Sequence, residues 1–442
     1  MHSDRHQLTR IIFAGLNHID EWRLGNPLLA ASKGYPRKFA AEMLDDFGMV
    51  FVDVVLDHRT GRPVCHEVNG PNGVGSDALT GESSLRADNE ARQAVCRATE
   101  LGLVSSVGRV KSPVVTIHAH QHWKAFRTGC EFYARVADFA DCLARYMPGN
   151  DMCLRGATES LGSEHISVVA GDVPAVAAKL EVNTSSRRLE YDGRPVVFIG
   201  NPNLLPELVR IGKLSGGPRL AESVDLRVFH AWRLLRVIHD KALQQQLLPG
   251  TGIDPLRCFE AYTPEEALTR TRESLAHGPI VLKPNGTSGG TGVHVVVPEM
   301  TDDDIASRLK AVVADCVAKY GPNAEATVLP WRGFEFVRST GYPLSDGEHL
   351  WDLRIAVLFE PGMAHVFPVS MRITPKPFDP RTFHLDRDQW VSNVSGRNGS
   401  LLLSGLDDEA LQIVGWTSGK LEQAFQAAVG WTMKAWDEVL PI

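Results

Sequence analysis

Hydrophobic positions along the chain fall into runs of helical spacing and runs of strand-like alternation, and the two kinds are interleaved throughout. Residues 36–49 (YPRKFAAEMLDDFG) place Phe39, Met43, Leu44 and Phe47 at helical spacing, which predicts a short amphipathic helix. Two apolar, β-branched runs follow, Met49–Leu56 and Pro63–Asn69, joined by the turn-rich DHRTG; they predict a hairpin. After the Gly-rich stretch NGPNGVGS the spacing is helical around 86–102. PVVTIH at 113–118 predicts a buried strand, then a loop and a long helix over 126–146, and RPVVFIG at 194–200 a further strand. These elements predict an α/β domain over 111–215. Spacing is helical again over 225–247 (VDLRVFHAWRLLRVIHDKALQQQLL). Strands are then expected at 278–283, 293–297, 326–330, 351–359 and 364–370, before a last helix at 418–438. No internal repeat or low-complexity tract appears.

Composition adds scale and excludes some classes. The 442 residues suggest about three domains or lobes at roughly 150 residues each. With 43% hydrophobic and 22% charged residues the chain can bury a globular core. The net charge of -7, without a Lys/Arg cluster, argues against nucleic acid as a partner. No run of about 18 apolar residues predicts a membrane span, and the start MHSDRHQLTRIIFAGLNHIDEW is too polar for a secretory signal. Seven scattered cysteines without a C-x-x-C fit reduced thiols in a cytoplasmic protein.

Two constellations carry chemistry. In the hairpin FVDVVLDHRTGRPVCHEVNG, Glu67 and Asn69 share a strand face. A turn centred near Thr60 puts Asp53 directly across from Glu67, with Phe51, Val55 and Cys65 on the same face and Val52, Val54, Leu56, Val64 and Val68 on the other. Facing carboxylates repel unless a positive charge lies between them. Mg²⁺ would supply it, with Asn69 adding a neutral oxygen; the alternative is a solvated hairpin face with incidental acids. The second constellation is GPIVLKPNGTSGGTGVHVVV, a strand ending in Lys283, a loop of Asn285, Gly286, Thr287, Ser288, Gly289, Gly290, Thr291 and Gly292, and a second strand. Glycines let backbone N–H groups approach phosphate, and the hydroxyls and Lys283 add donors and charge. The alternative is a plain Gly-rich hairpin turn. A Walker motif is absent, and so are the H-R-D and D-F-G of protein kinases. His118, His120 and His122 alternate in TIHAHQHW, at the mouth of a strand or, less in keeping with their lack of an acidic partner, at a zinc.

Taken together, the D…E-x-N hairpin and the K-P-x-G-rich loop resemble the ATP-grasp superfamily, in detail its D-alanine–D-alanine ligase branch. Further matches are Asp240-Lys241, Asp352-Leu353-Arg354 and the Ser392-Asn393-Val394-Ser395 stretch. The motif order resembles eukaryotic-type glutathione synthetase, whose ATP-grasp fold is circularly permuted so that Glu-x-Asn comes early. The resemblance implies an α/β chain with α+β lobes, a permuted ATP-grasp fold with an inserted Rossmann-like substrate domain. It divides the chain into 1–35, of unknown role; 36–110, the metal-binding part; 111–215, the substrate domain; and 216–442, the nucleotide lobe and the rest of the central sheet.

The implied activity is ATP- and Mg²⁺-dependent joining of a small-molecule carboxylate to an amine through an acyl phosphate, releasing ADP and phosphate. Asp53, Glu67 and Asn69 would bind Mg²⁺; Lys241, Lys283 and the loop would hold ATP. Arg354 would meet the phosphoryl group, Arg372 the substrate carboxylate, and Glu335 the ribose if it is not a surface acid. Thr287 stands where glutathione synthetase has a metal-binding Glu, which counts against glutathione as product. A glutathione synthetase-type ligase, an ATP-grasp phosphotransferase and a non-catalytic ATP-binding module are the alternatives, and a homodimer is an open option.

Overall fold

The computed structural model describes residues 11–12, 37–44, 48–69, 114–120, 159–162, 166–183, 185, 188–199, 204–213, 227–228, 234, 237–238, 240–285, 287, 290–321, 328–392, 401–404 and 411–438. The architecture is mixed α/β. Its central sheet is antiparallel throughout, in the order β1 (Ile11–Ile12), β20 (Leu401–Ser404), β19 (Gly362–Ile373), β18 (Trp351–Glu360), β3 (Gly48–Leu56) and β4 (Pro63–Asn69), with β2 (Arg37–Ala41) also on β19. The early hairpin and the late strands therefore share one sheet: β3 lies against β18 from Gly48↔Phe359 to Val54↔Leu353. Sequence-distant strands meet here because β3 and β18 are almost wholly apolar and need cover on both faces. The last helix, Ser418–Asp437, packs on this sheet and contributes Leu421, Phe425, Ala428, Trp431 and Trp436 to its core.

A second sheet falls in chain order between β4 and residue 240. It runs β6 (Glu159–Gly162), β7 (Ile166–Asp172), β5 (Val114–His120), β10 (Arg194–Ile199), β9 (Arg188–Tyr191) and β8 (Leu180–Asn183), with β11 (Arg227–Val228) on β10. Strands β7, β5, β10 and β11 are parallel and the outer pairings antiparallel. Helices α1 (Val173–Lys179) and α2 (Leu204–Arg210) pack beside it, around Val176, Leu180, Val196, Leu204 and Leu208. The third sheet is antiparallel, in the order β12 (Cys258–Ala261), β15 (Trp331–Glu335), β13 (Ile280–Leu282) and β14 (His294–Val296). In chain order α3 (Lys241–Gln246) falls between the second and third sheets, and it packs against β4 and β12. The third sheet is backed by α4 (Pro264–Leu275), capped by Thr263, and α5 (Asp302–Tyr320), whose Thr301 and Asp304 form a reciprocal capping box. The Ser418–Asp437 helix is α6. β16 (Tyr342–Leu344) and β17 (Gly347–His349) form a small ribbon.

Three expected elements differ. The segment read as a helix over 36–49 holds β2 instead: its burial alternates along Arg37–Ala41, and Phe39 pairs with Ala364. The spacing of Phe39, Met43 and Leu44 came from an edge strand plus a turn, in which Leu44 N–H donates to the Ala41 carbonyl and Met43 stays 45% exposed. The expected helix at 225–247 is broken. Arg227–Val228 is strand β11, and Asp240 (φ -107°, ψ 97°) leaves the helical region to cap α3, accepting from Ala242 and Leu243 N–H. The strand expected at 326–330 lies later, at Trp331–Glu335, and runs through Gly333, where a Cβ would stand 2.2 Å from Phe259 Cε1. A glycine that reads as a strand breaker is there to let a cross-strand ring lie flat. The expected helices at 86–102 and 126–146 and the Gly-rich stretch beyond Asn69 lie outside the described residues. Among the described residues no helix is long and apolar enough to cross a membrane, and Cys65, Cys258 and Cys316 are free thiols.

Candidate active site

The site is built on one line across the central sheet. Glu67 on β4 pairs with Asp53 on β3, and Asp53 pairs with Arg354 on β18. Two residues before Arg354, Asp352 pairs with Arg372 on β19, so alternation puts Asp352 and Arg354 on one face. Register shifts occur at Asp53/Val54 and at Arg354/Ile355, on either side of this line; such bulges re-aim side chains. The first places an extra residue, His66, between Cys65 and Glu67, so the facing of Asp53 and Glu67 holds while the pairing beyond it slips by one.

Asp53 is saturated with donors. Its Oδ1 accepts from Arg354 Nε at 2.7 Å, and its Oδ2 from Arg354 Nη2 at 2.7 Å and Asn69 Nδ2 at 2.9 Å. Arg372 Nη2 lies 2.9 Å from the same Oδ2. Burial pushes the Asp53 carboxyl up, but Arg354 and then Arg372 outweigh it and hold the group at about 2. Arg372 Nε donates to Asp352 Oδ1 at 2.6 Å, and Ser392 Oγ donates to Asp352 Oδ2 at 2.5 Å. Burial raises the Asp352 carboxyl above its usual value, with Arg372 opposing.

Two lysines approach the same hairpin from later in the chain. Lys241 Nζ stands 3.2 Å from Glu67 Oε1, and Lys241 N–H donates to Asn285 Oδ1 at 3.0 Å, which ties the start of α3 to the glycine loop. Lys283, at the end of β13, has its ammonium 5.7 Å from the Phe334 ring centre. Burial lowers its pKa, and Glu67 partly restores it. Burial likewise raises the Glu67 carboxyl, but Lys241 and then Lys283 hold it below the usual value. Glu67, Lys241 and Lys283 are therefore one electrostatic unit.

Of the expected loop residues, Gly286, Ser288 and Gly289 lie outside the described residues. Gly290 and Gly292 have φ of +67° and +68°, and a Cβ on Gly292 would stand 2.8 Å from Cys316 Sγ, so the turn and its seat on α5 account for both. Thr287 Oγ1 donates to the Pro284 carbonyl and Thr291 Oγ1 accepts from Lys319 Nζ at 2.8 Å.

Two expected roles sit poorly with the contacts the side chains make. Asp53, Glu67 and Asn69 are not presented as a set for a divalent cation: Asp53 Oδ2 meets Arg354, Arg372 and the Asn69 amide, its Oδ1 meets Arg354, and Glu67 Oε1 meets Lys241. Among the described residues no cluster of three His, Cys, Asp or Glu converges. Arg354 is likewise not offered to a phosphoryl group: it is 3% exposed and gripped by Asp53. Glu335 belongs to a surface ion-pair cluster, with Arg257 Nε at 3.0 Å and Arg59 Nη2 at 3.4 Å. His118 and His120 lie on β5, where the described backbone pairs them with Ala170 and Asp172; His122 and Asn393–Ser395 lie outside the described residues.

Sequence reasoning missed Gln244 and Arg387. Gln244 accepts from Val68 N–H at 2.9 Å and donates to the Val68 carbonyl at 2.8 Å, completing the edge of β4 as a further strand would. Nothing in KALQQQLL singles it out from the two glutamines that follow it. Arg387 Nη2 donates to the Gly290 carbonyl, a contact between distant segments that leaves no local pattern.

No family model matches the chain, and no curated protein matches it. Among solved structures it is similar to a candidate gamma-glutamylcysteine synthetase from Methylobacillus flagellatus KT, at 12% identity and a TM-score of 0.46, covering 97% of each chain. It is also similar to D-alanyl-alanine synthetase A from Vibrio cholerae O1 biovar eltor str. N16961, at 11% identity and a TM-score of 0.41, covering 72% of this chain and 81% of that one. Both scores lie below 0.5, so neither likeness assigns an activity to this chain.

Proposed function

We propose that the chain is an ATP-dependent carboxylate–amine ligase built on a permuted ATP-grasp fold, with 111–215 as its substrate domain. One observation carries this reading. Lys241 of α3 stands 3.2 Å from Glu67 of a hairpin far upstream in sequence, and the charge of Lys283 at the glycine hairpin acts on the same carboxyl, on a sheet that also presents Arg372. Arg354, Arg372, Lys241 and Lys283 face the three carboxylates Asp53, Glu67 and Asp352, leaving an excess of positive charge suited to anionic ligands.

In the proposed reaction a substrate carboxylate oxygen attacks the γ-phosphorus of ATP, and the bond from that phosphorus to the β,γ-bridging oxygen breaks to release ADP. An amine then attacks the acyl carbon, the carbon–phosphate oxygen bond breaks, phosphate leaves, and the amine proton passes to solvent. Lys241 and Lys283 hold the polyphosphate in line. Arg372 holds the carboxylate, since its third nitrogen, Nη1, has no partner among the described residues. No step is routed through a metal on Asp53.

The test is a screen of acid and amine pairs for ADP release, with mass spectrometry of the products. An amide formed in step with ADP and phosphate is expected. AMP and pyrophosphate as the stoichiometric products would overturn the reading.

A further inference from the structure

Building on that reading, we propose that Asp53 is a positioning residue, the anionic anchor of Arg354 and Arg372, and that it ligates no metal. Arg372 is held on two sides, by Asp352 at Nε and Asp53 at Nη2, and Ser392 fixes the far oxygen of Asp352. Its side chain is 14% exposed, and among the described residues Nη1 is its one nitrogen left to meet a ligand. A guanidinium pinned along one edge presents the other in a single orientation, so little rotamer entropy is lost when a carboxylate binds. Arg354, 3% exposed, backs the arrangement through a bidentate contact on Asp53 and lies over the Phe51 ring at 5.6 Å.

The two roles predict opposite signs for one substitution. If Asp53 and Glu67 were facing metal ligands, Asp53→Asn would remove a repulsion and raise the thermal stability of the metal-free protein. As an anchor, Asp53 is the anion that two buried guanidinium groups share, and neutralising it leaves Asp352 alone against Arg354 and Arg372, one positive charge in excess, so the same variant is less stable. The full-length chain is melted in chelator with and without the substitution, and a fall in Tm of several degrees is expected. The double variant Asp53→Asn with Arg372→Gln should recover part of that loss, because it removes the excess positive charge and leaves Asp352 and Arg354 in balance. This comparison also serves if the single variant fails to fold.

In a second arm, Mn²⁺ binding is measured by electron paramagnetic resonance with a non-hydrolysable ATP analogue present. Asp53→Asn should bind Mn²⁺ within threefold of wild type. In the acid–amine assay it should raise KM for the carboxylate at least tenfold with KM for Mg²⁺ unchanged. A rise in Tm, no recovery in the double variant, or a tenfold loss of Mn²⁺ affinity would each overturn the proposal. If the protein binds no nucleotide, the ligase reading falls, and the melting arm still decides the role of Asp53.

Discussion

Replacing Gln244 with leucine tests how α3 holds the hairpin that carries Glu67. Gln244 is 1% exposed, and leucine keeps the helix while filling most of the same volume with apolar atoms. What is lost is specific. Val68 N–H loses its acceptor, the Val68 carbonyl its donor at 2.8 Å, and the Ile238 carbonyl its donor at 2.7 Å. An unsatisfied buried N–H costs about 1–3 kcal/mol and each weakened carbonyl about 0.5–1, which together give roughly 3 kcal/mol. That amount corresponds to about a hundredfold change in a local opening equilibrium. Hydrogen exchange read by mass spectrometry on peptides covering Pro63–Asn69 measures it directly, without assuming that so large a chain unfolds in two states. Protection there should fall by about two orders of magnitude, while α6 keeps its own. Protection within threefold of wild type would refute the edge-pairing role of Gln244.

Other outcomes follow from the same contacts. Gly333→Ala should cost about 2 kcal/mol and lower Tm by a few degrees, because the new methyl meets the Phe259 ring; an unchanged melt would show that the ring moves freely. Acid should destabilise the fold through two histidines. Burial, then Lys283, holds His66 at about 3, with Asp53 opposing, and burial holds His294 below its usual value against Asp315. Both folded pKa values are depressed, so the unfolded chain takes up protons first. The stability is present above about pH 6.5 and is lost as pH falls towards 3. A double His66→Gln and His294→Gln variant should show a flatter Tm profile between pH 6.5 and 4, and a profile parallel to wild type would contradict this.

What could be read from sequence followed from local periodicity and turn chemistry. The β3–β4 hairpin, the facing of Asp53 and Glu67, and the last helix, expected at 418–438 and observed at Ser418–Asp437, are of this kind. The pairing of β3 with β18 was expected from motif order and is present. Three things were hidden. β2 is a strand because β19 offers it an edge, a tertiary fact that a five-residue segment cannot signal. The pairing partner of Asp53 on β4 was legible and its partner on β18 was not, since Arg354 lies 301 positions away. Gln244 and Arg387 act by completing the hydrogen bonding of remote backbone, which depends on where the chain is brought together rather than on spacing.

The central claim is that the Lys283 hairpin and the Glu67 hairpin make one nucleotide site. Isothermal titration of MgATP into wild type, Lys283→Ala and Glu67→Gln tests it most directly, with an unliganded melt of each protein as the control for folding. The account predicts saturable one-to-one binding to wild type and affinity at least tenfold weaker in Lys283→Ala. A clear change is also expected in Glu67→Gln, because Lys241 contacts Glu67 directly and Lys241, then Lys283, hold its carboxyl below the usual value. Wild-type affinity in both variants would contradict it.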